Sequence, residues 1–217
     1  MKTSIKLRAR SRSINRLGNR ASSVEISFAS VLYSLKIQTI EERKALILMK
    51  LRGYKLIKRE EQKDSISFIA KLPRNKKRVI ILCLPAIKVA GVAYVKKMVK
   101  IMEAVKAEKG IIVANVRYTF AAKRDAKKYG IELIPRVFPS FNIFKHKLVP
   151  KHEVVSHEEA EKLLKKYRIK AHQLPRIKAS DVAVIAIGAE IGHIIKITRD
   201  SPTAGKHVAY RFVVPDE

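Results

Sequence analysis

The sequence predicts an α/β protein, α+β overall, and three observations carry that prediction. The run 79–84 is continuously apolar and 111–116 is apolar except for Asn115, which predicts two buried strands. The residues between them, 91–109, have an amphipathic helical pattern, so the two strands are joined by a crossover and run parallel. Near the end of the chain, the turn-forming run 200–205 separates two segments of strand composition, which predicts a β-hairpin.

The first predicted helix begins at Thr39. Thr39 and Glu42 have the spacing of a capping box, in which the hydroxyl accepts from a free amide and the carboxylate reaches back to the first one. Gly53 stands where a glycine ends a helix in the left-handed conformation. The predicted apolar face of this helix consists of Ile40, Ile47, Leu48 and Leu51.

Two further strands and two helices complete the first part. Residues 65–72 alternate apolar and polar, which predicts a strand with one face in solvent. The helix over 91–109 has an apolar stripe and is predicted to end at Gly110. Thr119 is the predicted N-cap of a helix over 120–129, and a short strand follows at 131–134. The stripe consists of Val92, Val95, Val99, Met102 and Val105.

This order of elements resembles the core of restriction-endonuclease-like enzymes, so metal-dependent cleavage is one function to test. Such enzymes place an Asp on one strand and a (Glu/Asp)-x-Lys on the next, because two carboxylates must hold the metal beside the lysine. The run 79–84 contains no acid, and Glu60, Glu61 and Asp64 come before the predicted first strand. The sequence therefore predicts no catalytic residues and no metal on this chain.

The second part is predicted to contain a helix capped by Ser156, a loop at 173–177, a short helix over 182–187, and the hairpin of 193–199 with 208–214. His152 and His157 are five residues apart, whereas a helical zinc motif needs a spacing of four. A zinc site is accordingly not predicted here.

Charge divides the chain in three. Residues 1–36 contain 8 basic and 1 acidic side chains, 37–145 contain 26 and 9, and 146–217 contain 13 and 9, for a net charge of +28. We take the parts as an arm (1–36), a basic domain (37–143) and a nearly balanced domain (144–217). A basic domain is suited to phosphates and a balanced one to protein. For the arm, three interpretations stay open: a mobile segment that meets a polyanion, an organelle transit peptide, or a misassigned start.

Composition excludes several classes. With 47% hydrophobic residues the chain can build cores, so wholesale disorder is excluded. The single cysteine, Cys83, excludes a disulfide framework and a cysteine-cluster zinc site. The longest uncharged apolar run, 79–87, is 9 residues, against about 18 for a membrane span. With 6% aromatic residues and no tryptophan, phosphate contacts are favoured over base stacking.

The second part carries a resemblance to a known family. Its motifs are His146-Lys-Leu-Val-Pro-Lys-His152, Leu174-Pro-Arg-Ile177 with Ala179 and Asp181, Arg199-Asp-Ser-Pro-Thr-Ala-Gly205, and Tyr210-Arg211. In this order they resemble a small subunit of archaeal RNA polymerase, the one that is similar to the C-terminal half of the fifth subunit of eukaryotic nuclear RNA polymerases. More faintly, 37–143 resembles the jaw domain of that eukaryotic subunit: Thr119-Phe-Ala-Ala-Lys123 is similar to its Thr-Pro-Ser-Ala-Lys pattern, from which Phe120 and Ala121 depart.

The resemblance implies a non-catalytic subunit of DNA-directed RNA polymerase. In the family, the C-terminal module docks on the largest subunit and the jaw lies beside downstream duplex DNA. The implied DNA-contacting residues are Arg117, Thr119, Lys123 and Arg124, around a helix N-terminus whose free amides favour phosphate. We take Arg176, Arg199, Tyr210 and Arg211 as the candidate docking residues, and for Tyr210 a place in the core of the paired strands stays open as the alternative. The polymerase's magnesium site, an Asp-x-Asp-x-Asp run, has no counterpart in this sequence.

The partners expected from this interpretation are other polymerase subunits, chiefly the largest, and duplex DNA, with no membrane, no cofactor and no small-molecule substrate. A basic RNA- or ribosome-associated protein is the alternative, since it also explains the charge. A low content of amides, 5 Asn and 3 Gln, leans towards a thermophile. We therefore expect a cytoplasmic, archaeal protein, or a nuclear one if the source is eukaryotic.

Overall fold

The computed structural model describes residues 39–62, 64–73, 77–85, 87–201 and 205–216. Residues 37–217 form one compact unit. The predicted arm, 1–36, and the tip of the predicted turn at 200–205 lie outside the described residues.

A five-stranded sheet and a small two-stranded sheet build the first half. The strands of this half are β1 (Lys55–Gln62), β2 (Ser65–Lys71), β3 (Arg78–Cys83), β4 (Val89–Ala90), β5 (Lys109–Val113), β6 (Arg117–Tyr118) and β7 (Ile131–Ile134). The large sheet has the order β1-β2-β3-β5-β7, and β4 pairs with β6. The first three strands are antiparallel, whereas β3, β5 and β7 are parallel. The predicted parallel crossover is confirmed.

Helices cover both faces of the large sheet. They are α1 (Ile40–Leu51), α2 (Val92–Val105) and α3 (Phe120–Lys128). Ile80 and Leu82 of β3 belong to the core cluster that includes Val95 and Met98 of α2. Cys83 faces the other way, and its Sγ lies 3.6 Å from the carbonyl oxygen of Glu41 in α1. Because side chains alternate along a strand, α1 and α2 lie on opposite faces.

Several predicted details of the first half are wrong. Ile40 is half exposed, because the buried side of α1 is centred on Ala45, Leu48 and Met49. The strand β1 was not predicted, and Glu60 and Glu61 lie within it rather than before the first strand. The predicted solvent face of β2 is buried at Ser65 and Ser67, and Lys71 at its end is exposed.

Burial of that face has a clear cause. Ser65 and Ser67 are 2% and 5% exposed. The helix α2 reaches this surface, and Lys97 Nζ donates to Ser65 Oγ at 2.8 Å. The serines that alternate with apolar residues in β2 therefore lie on a covered face, where they are hydrogen-bonded.

Gly110 does not end α2. The helix stops at Val105, and Lys106 adopts the left-handed conformation with φ 52°. Gly110 instead lies in β5, where a Cβ would stand 2.5 Å from the Sδ of Met102. Its role is close packing of the helix on the strand, which a side chain would prevent.

The second half is a four-stranded sheet with two helices. Its strands are β8 (Lys151–Val154), β9 (Arg176–Lys178), β10 (Ile194–Ser201) and β11 (Gly205–Val214), in the order β8-β10-β11-β9, and its helices are α4 (His157–Tyr167) and α5 (Val182–Ile187). The predicted hairpin is confirmed as β10 and β11, which are antiparallel. The predicted loop at 173–177 is wrong in its last two residues, since β9 pairs in parallel with β11. The strand β8 was not predicted.

Packing in the second half is modest. Val184, Ile195, Ile197 and Val213 form its buried cluster, and no residue of α4 is fully buried. No helix of the described part is long and apolar enough to cross a bilayer.

Candidate nucleic-acid interface and docking surfaces

A basic turn joins β6 to α3. The side chain of Arg117 is exposed to solvent, as are those of Lys123 and Arg124 on the first turns of α3. Thr119 is half-buried, and its Oγ1 accepts from the backbone N of Ala122 at 3.2 Å, which confirms the predicted N-cap. The structure thus brings the four predicted DNA-contacting residues together. The hydroxyl of Thr119 is already used by the helix, which leaves the cations and the free helix amides to face a ligand, although Arg124 Nε also lies 3.4 Å from Asp125 Oδ1.

Tyr118 holds this turn on the large sheet. Its hydroxyl donates to the carbonyl oxygen of Ile134 at 2.9 Å, and the carbonyl oxygen of Ile112 lies 3.1 Å away as a second acceptor. The same hydroxyl accepts from the backbone N of Ala114 at 3.2 Å. Burial raises the pKa of the Tyr118 phenol, so the group stays protonated. The turn is therefore attached to the carboxyl ends of β5 and β7.

Two exposed apolar side chains lie beside these cations, and the sequence analysis did not identify them as part of this surface. Phe120, the first residue of α3, is 83% exposed, and Val89 is 55% exposed. Val89 pairs with Arg117 across the small sheet. The departure of Phe120 from the family pattern was the available signal, and it places an aromatic ring at the tip of a basic surface.

The four predicted docking residues lie on two faces of one sheet. Arg211 pairs with Ile195, and Arg199 is four residues further along the same strand as Ile195, so both share the face of the buried cluster. Tyr210 pairs with Lys196, and Arg176 pairs with Phe212, which places both on the opposite face. Arg176 and Arg199 are exposed, whereas Tyr210 and Arg211 are half-buried. A single flat partner surface cannot contact all four.

A buried ion pair within the first half is hydrogen-bonded to the second half, and sequence reasoning missed it. Arg52 follows α1, and its side chain is 2% exposed. One terminal nitrogen donates to Glu132 Oε2 of β7 at 2.8 Å, and the other also donates to the carbonyl oxygen of Ile185 in α5 at 2.6 Å. An arginine one position before a helix-ending glycine is an ordinary surface pattern, so no sequence signal marks it.

The surroundings of this pair shift its titration. Burial disfavours the charged form of Arg52, but the hydrogen bonds and charge of Glu132 outweigh it, and the pKa of Arg52 is raised. Burial likewise acts to raise the pKa of Glu132, but Arg52 and then Lys109 lower it below its ordinary value. Lys109 extends the network across the halves, with Nζ 2.9 Å from Glu190 Oε1 and 3.4 Å from Glu132 Oε2.

Gly188 closes the site over Arg52. Its φ is +72°, and a Cβ there would stand 3.0 Å from Arg52 Nε. Both the backbone conformation and the space exclude a side chain, because L-residues are strained at this φ and the guanidinium fills the room.

The position of a nuclease site is occupied by other residues. On β2 and β3, Ser67 pairs with Leu82, and neither strand contains an acid. Glu42, buried in α1, accepts from the backbone N of Thr39 at 3.3 Å and from Arg59 at 2.7 Å. Among the residues that the structure describes, no group of three His, Cys, Asp or Glu is arranged to hold a metal.

Comparisons with known proteins match each half separately. Residues 141–213 match the family model "RNA polymerase Rpb5, C-terminal domain". A protein of Thermococcus kodakarensis, "DNA-directed RNA polymerase subunit Rpo5", is 62% identical over 76 residues, which are 35% of this chain and 93% of that protein. The chain belongs to the Rpo5/Rpb5 family. The predicted resemblance to this polymerase subunit is thereby confirmed at the level of the family.

Other members of the Rpo5/Rpb5 family match to different extents. The Rpo5 of Sulfolobus acidocaldarius is 55% identical over 73 residues, which are 34% of this chain and 87% of that protein. A protein of Dictyostelium discoideum, "DNA-directed RNA polymerases I, II, and III subunit rpabc1", is 38% identical over 130 residues, 57% of this chain and 66% of that protein. The archaeal members match little more than a third of the chain, whereas the eukaryotic member matches beyond that third.

The first half has a match of its own. Residues 37–137 match the family model "Restriction endonuclease". This match confirms the restriction-endonuclease-like fold predicted for the first half, and it accompanies an Rpb5 C-terminal domain in the second half. The overall α+β class with a terminal hairpin is likewise confirmed.

Proposed function

We propose that this chain is a non-catalytic subunit of DNA-directed RNA polymerase, in which the second half binds the largest subunit and the basic turn contacts the backbone of downstream duplex DNA. The observation that carries the proposal is the 62% identity to an archaeal Rpo5 across nearly the whole of that protein. The proposed location follows the source, cytoplasmic in an archaeon and nuclear in a eukaryote.

Docking through the second half is supported by the size of the archaeal relatives. The 76 matched residues are 93% of the Thermococcus protein, so that protein consists of little more than the matched module. A module that serves as a polymerase subunit without a jaw must itself hold the contacts to the enzyme. The nearly balanced charge of 144–217 suits a protein partner.

Contact with DNA is supported by the basic turn. Arg117, Lys123 and Arg124 are exposed around the N-terminus of α3, whose first amides point outward. Cations beside a helix N-terminus form a phosphate site that needs no base-specific contact. Binding that follows the backbone alone suits an enzyme that moves along every sequence.

A nuclease function is disfavoured by the strands that would carry it. Enzymes of this fold need acids on two adjacent strands to hold a metal. Here β2 reads Ser-Ile-Ser-Phe-Ile-Ala-Lys and β3 reads Arg-Val-Ile-Ile-Leu-Cys. We infer that the first half retains the scaffold for a different use.

Co-purification tests the proposal. A tagged full-length chain, expressed in its source organism, is expected to recover the two largest polymerase subunits in stoichiometric amounts. Recovery of ribosomal RNA without polymerase subunits would instead identify the chain as a ribosome-associated protein and refute the proposal.

Two paired variants identify the docking face. One carries Arg176→Glu with Tyr210→Ala, and the other carries Arg199→Glu with Arg211→Glu. Since these pairs lie on opposite faces of the sheet, we expect only one variant to lose polymerase recovery while both keep the thermal midpoint of the unaltered chain. Undiminished recovery by both variants would exclude all four residues as docking contacts.

A further inference from the structure

A cleft opens in the second half between the loop before β8 and the ends of β10 and β11. Its volume is about 780 Å³. The loop from Phe144 to Pro150 forms one wall, and residues 198–200 with Lys206 form the other. Thr198 pairs with Lys151, which follows the loop, so the sheet itself joins the two walls, and Asp200 pairs with Lys206 within the second wall.

The loop that forms the first wall is held by its own hydrogen bonds. Asn142 Oδ1 accepts from the backbone N of Phe144 at 2.9 Å. His146 accepts twice, through Nδ1 from the backbone N of Leu148 at 3.2 Å and through its carbonyl oxygen from that of Val149 at 3.0 Å. Beyond the loop, the ring of His152 contacts that of Phe144, with centroids 5.8 Å apart. The cleft is therefore a formed surface and not a gap between unattached segments.

Positive charge dominates the lining. Five cations and one carboxylate, Asp200, line the cleft. Among the described residues, only Lys151 of these cations forms an ion pair, with Glu153 at 2.6 Å. The five cations are Lys145, Lys147, Lys151, Arg199 and Lys206. Such a concentration of like charge is costly unless an anionic partner or counterions neutralise it.

An apolar lip distinguishes this surface from an ordinary phosphate site. Leu148 lines the cleft and is 82% exposed, between Lys147 and Val149. An exposed leucine gains nothing beside phosphates, but it gains free energy when it packs against an apolar side chain. The aromatic ring in the lining, Phe144, is half-buried and already in contact with the ring of His152, so it is not a fully exposed stacking platform for a base.

We propose that this cleft binds an acidic polypeptide segment that carries an apolar anchor, contributed by another polymerase subunit. The inference rests on the proposed function, and it names the chemistry of the partner segment. The carboxylates of the segment would face the lysines and Arg199, and its apolar residue would cover Leu148. The chain's own residues 1–36 do not fit, because they contain 8 basic and 1 acidic side chains.

Cross-linking from the lip tests the inference. A photo-reactive phenylalanine analogue replaces Leu148 in the full-length chain, which is then assembled into polymerase and irradiated with duplex DNA present. We expect an adduct with a polymerase subunit, within a segment that has more Asp and Glu than Lys and Arg. An adduct with DNA, an adduct with a neutral or basic segment, or the absence of any adduct would overturn the inference.

Charge reversal supplies a matched comparison. Lys147→Glu with Lys206→Glu reverses two cations of the cleft, and Lys96→Glu with Lys100→Glu reverses two exposed cations of α2. We expect the first variant to bind polymerase roughly tenfold more weakly at low salt and the second to bind as the unaltered chain does. Equal binding by the two variants, while the unaltered chain recovers polymerase, refutes the cleft alone. Failure of the unaltered chain to recover polymerase refutes the proposed function as well.

Discussion

Arg52 and Ile185 lie 133 positions apart, yet the guanidinium of Arg52 donates a 2.6 Å hydrogen bond to the carbonyl oxygen of Ile185. The same guanidinium binds both oxygens of Glu132. A single side chain thus ties α5 of the second half to β7 of the first. The halves are matched by separate families, but a desolvated cation of the first half donates one of its hydrogen bonds to the second.

Arg52→Met is expected to destabilise the protein by about 3–5 kcal/mol, because it leaves the carboxylate of Glu132 without its main partner in a buried site. Chemical denaturation of the full-length chain measures this loss. The exposed pair of Lys77 and Glu108 supplies the control, and Lys77→Met should change the free energy of unfolding by less than about 1 kcal/mol.

A double variant separates charge from packing. Arg52→Met with Glu132→Gln removes both charges, so we expect it to be more stable than Arg52→Met alone. The coupling energy should be about 1–3 kcal/mol. If the effects of the two substitutions simply add, Arg52 stabilises the fold by packing and not through its charge.

Stability should fall in acid because of Glu132. Its pKa is lowered in the folded state from the ordinary value of 4.5, so between the two values the unfolded chain binds more protons. The contribution of Glu132 to the free energy of unfolding is fully present above pH 4.5, and it is lost as the pH falls through the lower pKa of the folded state. Urea titrations between about pH 3 and pH 6 should show a smaller slope of unfolding free energy against pH for Glu132→Gln. Identical slopes would show that this carboxylate is not linked to folding.

Gly188→Ala and Gly130→Ala form a matched pair. Both glycines have positive φ, +72° and +65°, so each substitution should cost about 1–2 kcal/mol for backbone strain. Only at Gly188 does the new methyl also meet a side chain, Arg52, whereas nothing lies within 4 Å at Gly130. We expect Gly188→Ala to be the more destabilising in thermal unfolding, and the excess to shrink in an Arg52→Met background. Equal midpoints for the two variants would contradict this account.

Loss of the basic turn should change the salt dependence of DNA binding. In polymerase assembled with the triple variant Arg117→Ala, Lys123→Ala and Arg124→Ala, each lost phosphate contact should lower the slope of log affinity against log salt by about 0.9. Affinity should fall equally for unrelated duplex sequences, since phosphate contacts carry no sequence information. The control is Lys96→Ala with Lys100→Ala on α2. A slope equal to that of the control would exclude the turn as a DNA contact.

Local signals in the sequence were sufficient for most elements. The capping box at Thr39, the N-cap at Thr119 and the apolar runs of β3 and β5 each depend on residues within one turn or strand, and the structure confirms them. The strand β1 was not predicted because it is rich in charged residues, such as Glu60 and Glu61. It lies at the edge of the sheet, where side chains remain in contact with solvent. Edge strands tolerate charge, so their composition does not mark them.

The candidate sites divide in the same way. The basic turn could be predicted because its four residues are neighbours in sequence. Arg52 could not, because its partners lie 80 and 133 positions away and only the tertiary fold brings them together. The lip at Leu148 also escaped, since no local pattern shows that a leucine within a basic loop stays uncovered.

The Arg52 site also imposes an order in time. Glu132 is synthesised 80 residues after Arg52, and Ile185 follows 133 residues after it. At about 5–20 residues per second, the ribosome completes the third partner roughly 7–27 s after the first. During this interval Glu132 becomes available first, so the first half can form its ion pair while Gly188 is still absent. The second half can then add the hydrogen bond to Ile185 to a guanidinium that already has its carboxylate partner.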